Sequence, residues 1–143
     1  MLSYTPGWST NETVDNPDAF FPALELKTLG EAYPMTQGLG LDTIRHLTQL
    51  AALECNRLLT AFQNRLVSNS LDFPVSKGLL YQEAVFSRLM VLALPLLAVD
   101  PSKSEARHYE EGALRKEALF KKRSLKMLAE IDPKVSQVLA EAL

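Results

Sequence analysis

Residues 79–99 read LLYQEAVFSRLMVLALPLLAV, and from Leu89 to Val99 no side chain is polar. A helix that is apolar all round belongs inside a core, touched by other helices on several sides. The uninterrupted apolar run is 11 residues long, whereas a membrane span needs roughly 20. The stretch therefore reads as a core helix and not as a span. Upstream, Glu83, Ser87 and Arg88 gather on one side of the first turns and predict a single wet edge. Ser76 is the expected N-cap, after Pro74 has kept the chain extended. Pro95 lacks a backbone donor and clashes with the preceding turn, which predicts a kink or a break there. Asp100-Pro101 ends the element.

Two further helices flank this one. Asp42 reads as an N-cap, opening a helix to about Val67 in which Ile44, Leu47, Ala51, Cys55, Leu58, Phe62 and Leu66 form an amphipathic stripe. Cys55 lies inside the stripe as a structural thiol, while Arg45, His46, Gln49, Glu54 and Arg57 fall on a solvated or subunit-facing side. Beyond the core helix, Ser102 and Glu105 fit a capping box for a third helix running to about Glu130. Its inner face takes Ala106, Tyr109, Ala113, Phe120, Met127 and Ile131, helped by Leu114, Ala118, Leu125 and Leu128. Asp132-Pro133 is a cap-plus-first-residue pair for a short last helix over residues 133–142. The fold class that follows is all-α: three long helices and a short C-terminal one in a small bundle over residues 42–143, with an extended N-terminal arm over residues 1–41.

That arm holds four of the eight prolines and four of the six glycines, too many breaks for any helix beyond two turns. It also holds Trp8, Phe20, Phe21, Tyr33 and Leu24-Glu25-Leu26, which need somewhere to bury. Either the arm lies across its own domain, or it docks on a neighbouring subunit. On the second alternative residues 1–17 are dispensable for the helical fold.

Composition bounds the function classes. The chain has 143 residues, 47% apolar and 22% charged, with net charge −2, an ordinary balance for a globular protein of one domain. No overall pull toward nucleic acid or an anionic membrane follows. One cysteine excludes an intramolecular disulfide and a cysteine-based metal site. The first residues have neither the basic nor the apolar region of a secretory signal. Charge is nonetheless uneven: residues 1–42 hold six acids against one base. The third helix carries Arg115, Lys116, Lys122, Arg123 and Lys126 within about 120° of arc, with Lys121 pointing elsewhere. This face is either solvated or turned to DNA phosphates or an acidic protein partner. No aromatic is interleaved for base stacking, which argues against sequence-specific readout.

Catalytic constellations are thin. His46 and His108 lack the HExxH spacing, and Gly38-Leu39-Gly40 has no third glycine and follows no strand. No P-loop and no Gly-x-Ser-x-Gly elbow is present. Neither an enzyme nor a cofactor or metal is expected.

Several local patterns recur in a fixed order. Asp18 precedes Phe20-Phe21-Pro22, a helix carries Ala51-x-x-Glu-x-Asn56, the core helix opens with Leu79, Tyr81 and Ala84-Val85, and a long helix ends at Arg123-Ser-Leu-Lys-Met-Leu-Ala-Glu-Ile131. In this layout, over roughly residues 18–131, the chain resembles the head-completion, or head-to-tail connector, proteins of tailed bacteriophages. Pro95 departs from that family's core helix. The resemblance implies a structural virion protein at the head–tail junction, assembled in the host cytoplasm. It implies a self-associated ring of small helical subunits, twelve by the family pattern, beneath the portal protein. Such a ring extends the channel through which packaged DNA passes and gives a neck or tail protein its platform. Trp8, Phe20, Phe21, Arg115, Lys116, Lys122, Arg123 and Lys126 are the residues expected to meet those partners. The competing expectations are a small helical DNA-binding packaging factor, against which the pI near 5.7 speaks, and a helical adaptor with one partner groove.

Overall fold

The computed structural model describes residues 12–97 and 105–135, the stretch 105–114 by its backbone alone. Trp8, the Ser102–Glu105 capping box, the Asp100-Pro101 stop, the inner-face side chains expected at residues 106–114, and all but the start of the last helix lie outside the described residues.

Two short strands open the described chain: β1 (Thr13–Val14) pairs antiparallel with β2 (Leu24–Glu25) in the register Thr13↔Glu25 and Val14↔Leu24. The Leu26 amide extends the ladder to the Glu12 carbonyl at 2.9 Å. Helix α1 (Leu26–Ala32) follows at once and stops at Tyr33, which Pro34 forces out of the helical region. A 3-10 turn over Pro34–Gly38 leads into α2 (Leu41–Leu58). Over residues 12–41 the expectation of no helix beyond two turns holds, since α1 is two turns long.

Helix α2 starts at Leu41, and its cap lies two residues before the expected Asp42. Gly40 takes the N-cap position in an extended conformation, and Asp42 lies in the first turn, where its carboxylate meets the positive end of the helix dipole. The single helix expected to about Val67 is in fact two, because Leu59 leaves the helical region between α2 and α3 (Thr60–Ser68). The Thr60 hydroxyl donates to the Arg57 carbonyl at 2.8 Å, offering the last turn of α2 a partner in place of the next backbone amide. Helix α3 ends in a Schellman motif: the Leu71 amide donates to the Leu66 carbonyl at 2.8 Å and the Ser70 amide to Val67 at 3.0 Å. Ser70 occupies the left-handed position of that motif, with φ 56°.

Pro74 keeps the chain extended, as expected, but Ser76 does not cap the core helix. It sits in a 3-10 turn (Val75–Lys77) that runs directly into α4 (Gly78–Leu97). Nor does Pro95 end α4. The helix continues to Leu97 and the proline ring is exposed.

Helix α4 is the centre of the bundle, packed against both α2 and α5 (Glu105–Ile131). Tyr81, Ala84, Val85, Phe86, Leu89, Met90 and Ala93 are buried there with Ile44, Ala51, Ala52, Cys55 and Leu59 of the α2 side and Leu128 and Ile131 of α5. Two expectations need correction. Ser87 is not on a wet edge: one turn from Ala84 and from Met90, it is fully buried, and among the described residues its hydroxyl has no hydrogen-bond partner. The apolar run is also not enclosed on all sides, since Leu92 and Leu94 are half-buried and Leu96 is 53% exposed. By length and composition alone, Val75–Leu97 is long and apolar enough to cross a membrane. Half of that helix is buried against other parts of the chain, as in the central helix of a bundle.

Of the two alternatives for the arm, its described part follows the first. Val14, Phe21, Leu24, Leu26, Leu29 and Tyr33 all belong to the same core as the helices. Removing residues 1–17 would thus take away the buried Val14 and the hydrogen bonds of Asn16. Helix α5 ends where expected, with Leu128 and Ile131 buried and Phe120 and Met127 half-buried. Ser124 joins that inner face and Ala118 is exposed instead. Asp132 does cap the next turn, accepting the Lys134 amide at 3.2 Å, and it pairs with Arg65 at 3.1 Å. The Lys77 ammonium donates to the Ile131 carbonyl at 2.6 Å and lies 5.2 Å from the Phe62 ring centroid, tying the end of α5 to the turn that leads into α4 and to α3.

Candidate interaction surfaces

The Phe-Phe-Pro stretch is placed by two successive turns built on side chains. Asn16 Oδ1 accepts the Asp18 amide at 3.1 Å, and Asp18 Oδ1 accepts the Phe20 amide at 2.9 Å, the local bonding that Asn and Asp favour over regular structure. The other Asp18 oxygen accepts from Gln63 Nε2 at 2.8 Å. Asn16 then reaches into the bundle. Its Nδ2 donates to the Tyr81 hydroxyl at 2.7 Å and to the Pro22 carbonyl at 3.1 Å, and its Oδ1 accepts from Asn56 Nδ2 at 2.8 Å. The Tyr81 hydroxyl donates to Asn56 Oδ1 at 2.5 Å, closing the circuit. Burial pushes the Tyr81 hydroxyl pKa above its ordinary value, and the bond from Asn16 opposes that.

Against this polar circuit, Phe21 stacks on Tyr81 at 5.3 Å with the rings 12° apart. Phe73 meets Phe20, Phe21, Phe62 and Tyr81 at centroid distances of 5.5–6.1 Å. Phe21 is thus buried in its own subunit, and no neighbour reaches its ring in this fold. Phe20 is half-buried and, with Pro22, Phe73, Pro74 and Val75, lines a surface cleft of about 410 Å³. Beside it, Val75 is 95% and Leu79 77% exposed.

The basic face of α5 forms as expected. Arg115, Lys116, Lys122, Arg123 and Lys126 are all exposed, and Lys121 turns away to pair with Glu117 at 2.8 Å. Arg123 is partly committed within the chain, donating to the Tyr33 hydroxyl at 3.1 Å, while the Tyr33 ring meets Phe120 edge-on at 5.6 Å. Lys122, Arg123 and Lys126 surround an apolar floor of Leu119, Phe120 and Met127 in a groove of about 400 Å³.

A third cleft, of about 410 Å³, lies among α2, α4 and α5 and is lined by Glu54, Cys55, Arg57, Arg88, Lys121 and Ser124. Arg88 bonds Glu54 through its Nε, and that bond is the main cause raising the guanidinium pKa. Glu54 is therefore a partner of α4 and not simply a solvated residue. Burial pushes the Cys55 thiol up to about 12, so it stays protonated and is no nucleophile near neutral pH. Ser124 donates to the Ala84 carbonyl at 2.8 Å and lies 3.9 Å from Cys55 Sγ, bridging three helices. Among the described residues no group of three His, Cys, Asp or Glu side chains comes together to hold a metal ion.

The structure thus joins Asp18, Phe20, Phe21, Asn56 and Tyr81 in one cluster and keeps the α5 cations apart from it. Sequence reading missed Asn16 as the hub, although Asn16-Pro17-Asp18 carries the signature of a side-chain-built turn. It also missed the Glu54–Arg88 pair, whose members are 34 residues apart. No family model matches the chain, and no curated protein or solved structure matches it either.

Proposed function

We propose that this chain is a head-completion, or head-to-tail connector, subunit of a tailed bacteriophage, a structural protein with no catalytic role. It assembles as a ring under the portal protein, extends the DNA channel and presents a docking platform to the neck or tail. The observation that supports this reading is the convergence of part of the pattern on which the resemblance rests. Asp18, Phe20-Phe21-Pro22, Asn56 and Tyr81 come from three distant parts of the sequence, yet they form one bonded and stacked cluster. The small helical bundle is the architecture such a subunit needs, and the exposed basic face of α5 and the N-terminal side of the chain supply two different patches for a ring built head to tail. A null mutation in the encoding phage tests the proposal: DNA-filled heads without attached tails support it, and normal infectious particles refute it.

A further inference from the structure

Among the described residues, exposed charges of opposite sign stand without an ion pair on α5 and on the N-terminal side of the chain. Among the described residues no ion pair involves Arg115, Lys116, Lys122 or Lys126 of α5, and none involves Asp15, Glu25 or Glu31 at the N-terminal side. All seven are exposed. The α5 groove is more than a charged strip, because Leu119 on its floor is 66% exposed between the cations. A nucleic-acid backbone would satisfy the charges and leave that apolar floor uncovered. A protein segment that is both acidic and apolar satisfies both. This chain carries one: residues 25–42 hold three acids, Glu25, Glu31 and Asp42, against the single base Lys27, expose Glu25 and Glu31, and present Met35 at 53% exposure.

We propose that the α5 groove at residues 119–127 is the docking surface for the acidic stretch 25–42 of a second copy of this chain. The two patches are different, so the contact is heterologous and propagates head to tail. Unlike charges across it set register and partner choice. The proposal rests on the ring assembly read above and names the residues that meet in it.

Sedimentation velocity of the full chain, against protein concentration and salt, tests this. The wild type should exceed the monomer mass at about 0.1 M salt and return to monomer at about 1 M, where screening shortens to roughly 3 Å. Lys122→Glu with Lys126→Glu, and separately Glu25→Lys with Glu31→Lys, should each weaken association about tenfold or more. An equimolar mixture of the two should regain it, since each supplies the complement the other lacks. Lys122→Gln with Lys126→Gln, a milder pair, gives the same direction if circular dichroism shows either reversal to be misfolded. A wild type that stays monomeric throughout, a reversal that associates like wild type, or a mixture of folded reversals that stays apart would each overturn the proposal. So would duplex DNA that binds the wild type and not the Lys122→Glu, Lys126→Glu variant while self-association is unchanged. Association indifferent to these charges leaves the connector assignment intact, whereas a chain missing from the head–tail junction removes that assignment without touching this measurement.

Discussion

The Tyr81 hydroxyl donates to Asn56 Oδ1 at 2.5 Å while accepting from Asn16 Nδ2 at 2.7 Å, so one buried side chain of α4 joins α2 to the N-terminal segment. Tyr81→Phe keeps the ring stack on Phe21 but leaves two amide groups short of a partner. A buried polar group without its bond costs about 1–3 kcal/mol. Urea unfolding should show a loss of that size with an unchanged slope. A variant as stable as wild type would mean that the circuit contributes nothing.

Phe20 and Phe21 are neighbours in sequence with opposite expected costs. Phe21 is buried and Phe20 half-buried beside a cleft. Truncating a buried phenylalanine to alanine costs about 3–5 kcal/mol, so Phe21→Ala should lower the unfolding midpoint steeply and Phe20→Ala much less. Equal, small effects would mean that the segment does not belong to the core.

Ser70 pays for its place at the end of α3 with a left-handed backbone at φ 56°. Glycine takes that conformation without a Cβ clash. Ser70→Gly should therefore raise stability by about 0.5–1 kcal/mol, read as a higher melting temperature. A lower one would show that the serine side chain contributes more than the strain removes.

Cys55 gives a pH dependence with a definite sign. Its thiol ionises near 9.0 when unexceptional and is pushed up to about 12 in the fold by burial. As pH rises above 9 the unfolded chain loses this proton and the native chain keeps it. Stability is therefore full below pH 9 and falls between 9 and 12. Cys55→Ala should flatten the first part of that decline. In the native protein the thiol should react with a disulfide reagent only as fast as the fold opens. Rapid labelling at neutral pH would contradict its burial.

The helical class, the central place of residues 79–97, the end of α5 and the Asp132 cap were legible from periodicity and capping residues, which are local signals. What was not legible depends on partners far away in sequence. The stripe from Ile44 to Leu66 runs unbroken across Leu59, because a one-residue break hardly disturbs the spacing of apolar positions, so α2 and α3 read as one helix. Ser87 reads as polar and hence wet, although its neighbours one turn away on both sides are buried. Residues 12–41 read as an arm because prolines and glycines interrupt every local period. Their order comes from Asn16, Phe21 and Leu24 meeting α2 and α4. The basic face of α5 was legible in full, since residues three and four apart on one helix share a side.

The most direct test of the proposed connector role is a cryo-electron microscopy reconstruction of the head–tail junction of a tailed phage whose genome carries this sequence. A ring of copies of this helical bundle between portal and neck, with α5 of each copy facing residues 25–42 of the next, is the expected result. A junction fully accounted for by other proteins, with this chain absent from the particle, would contradict the assignment.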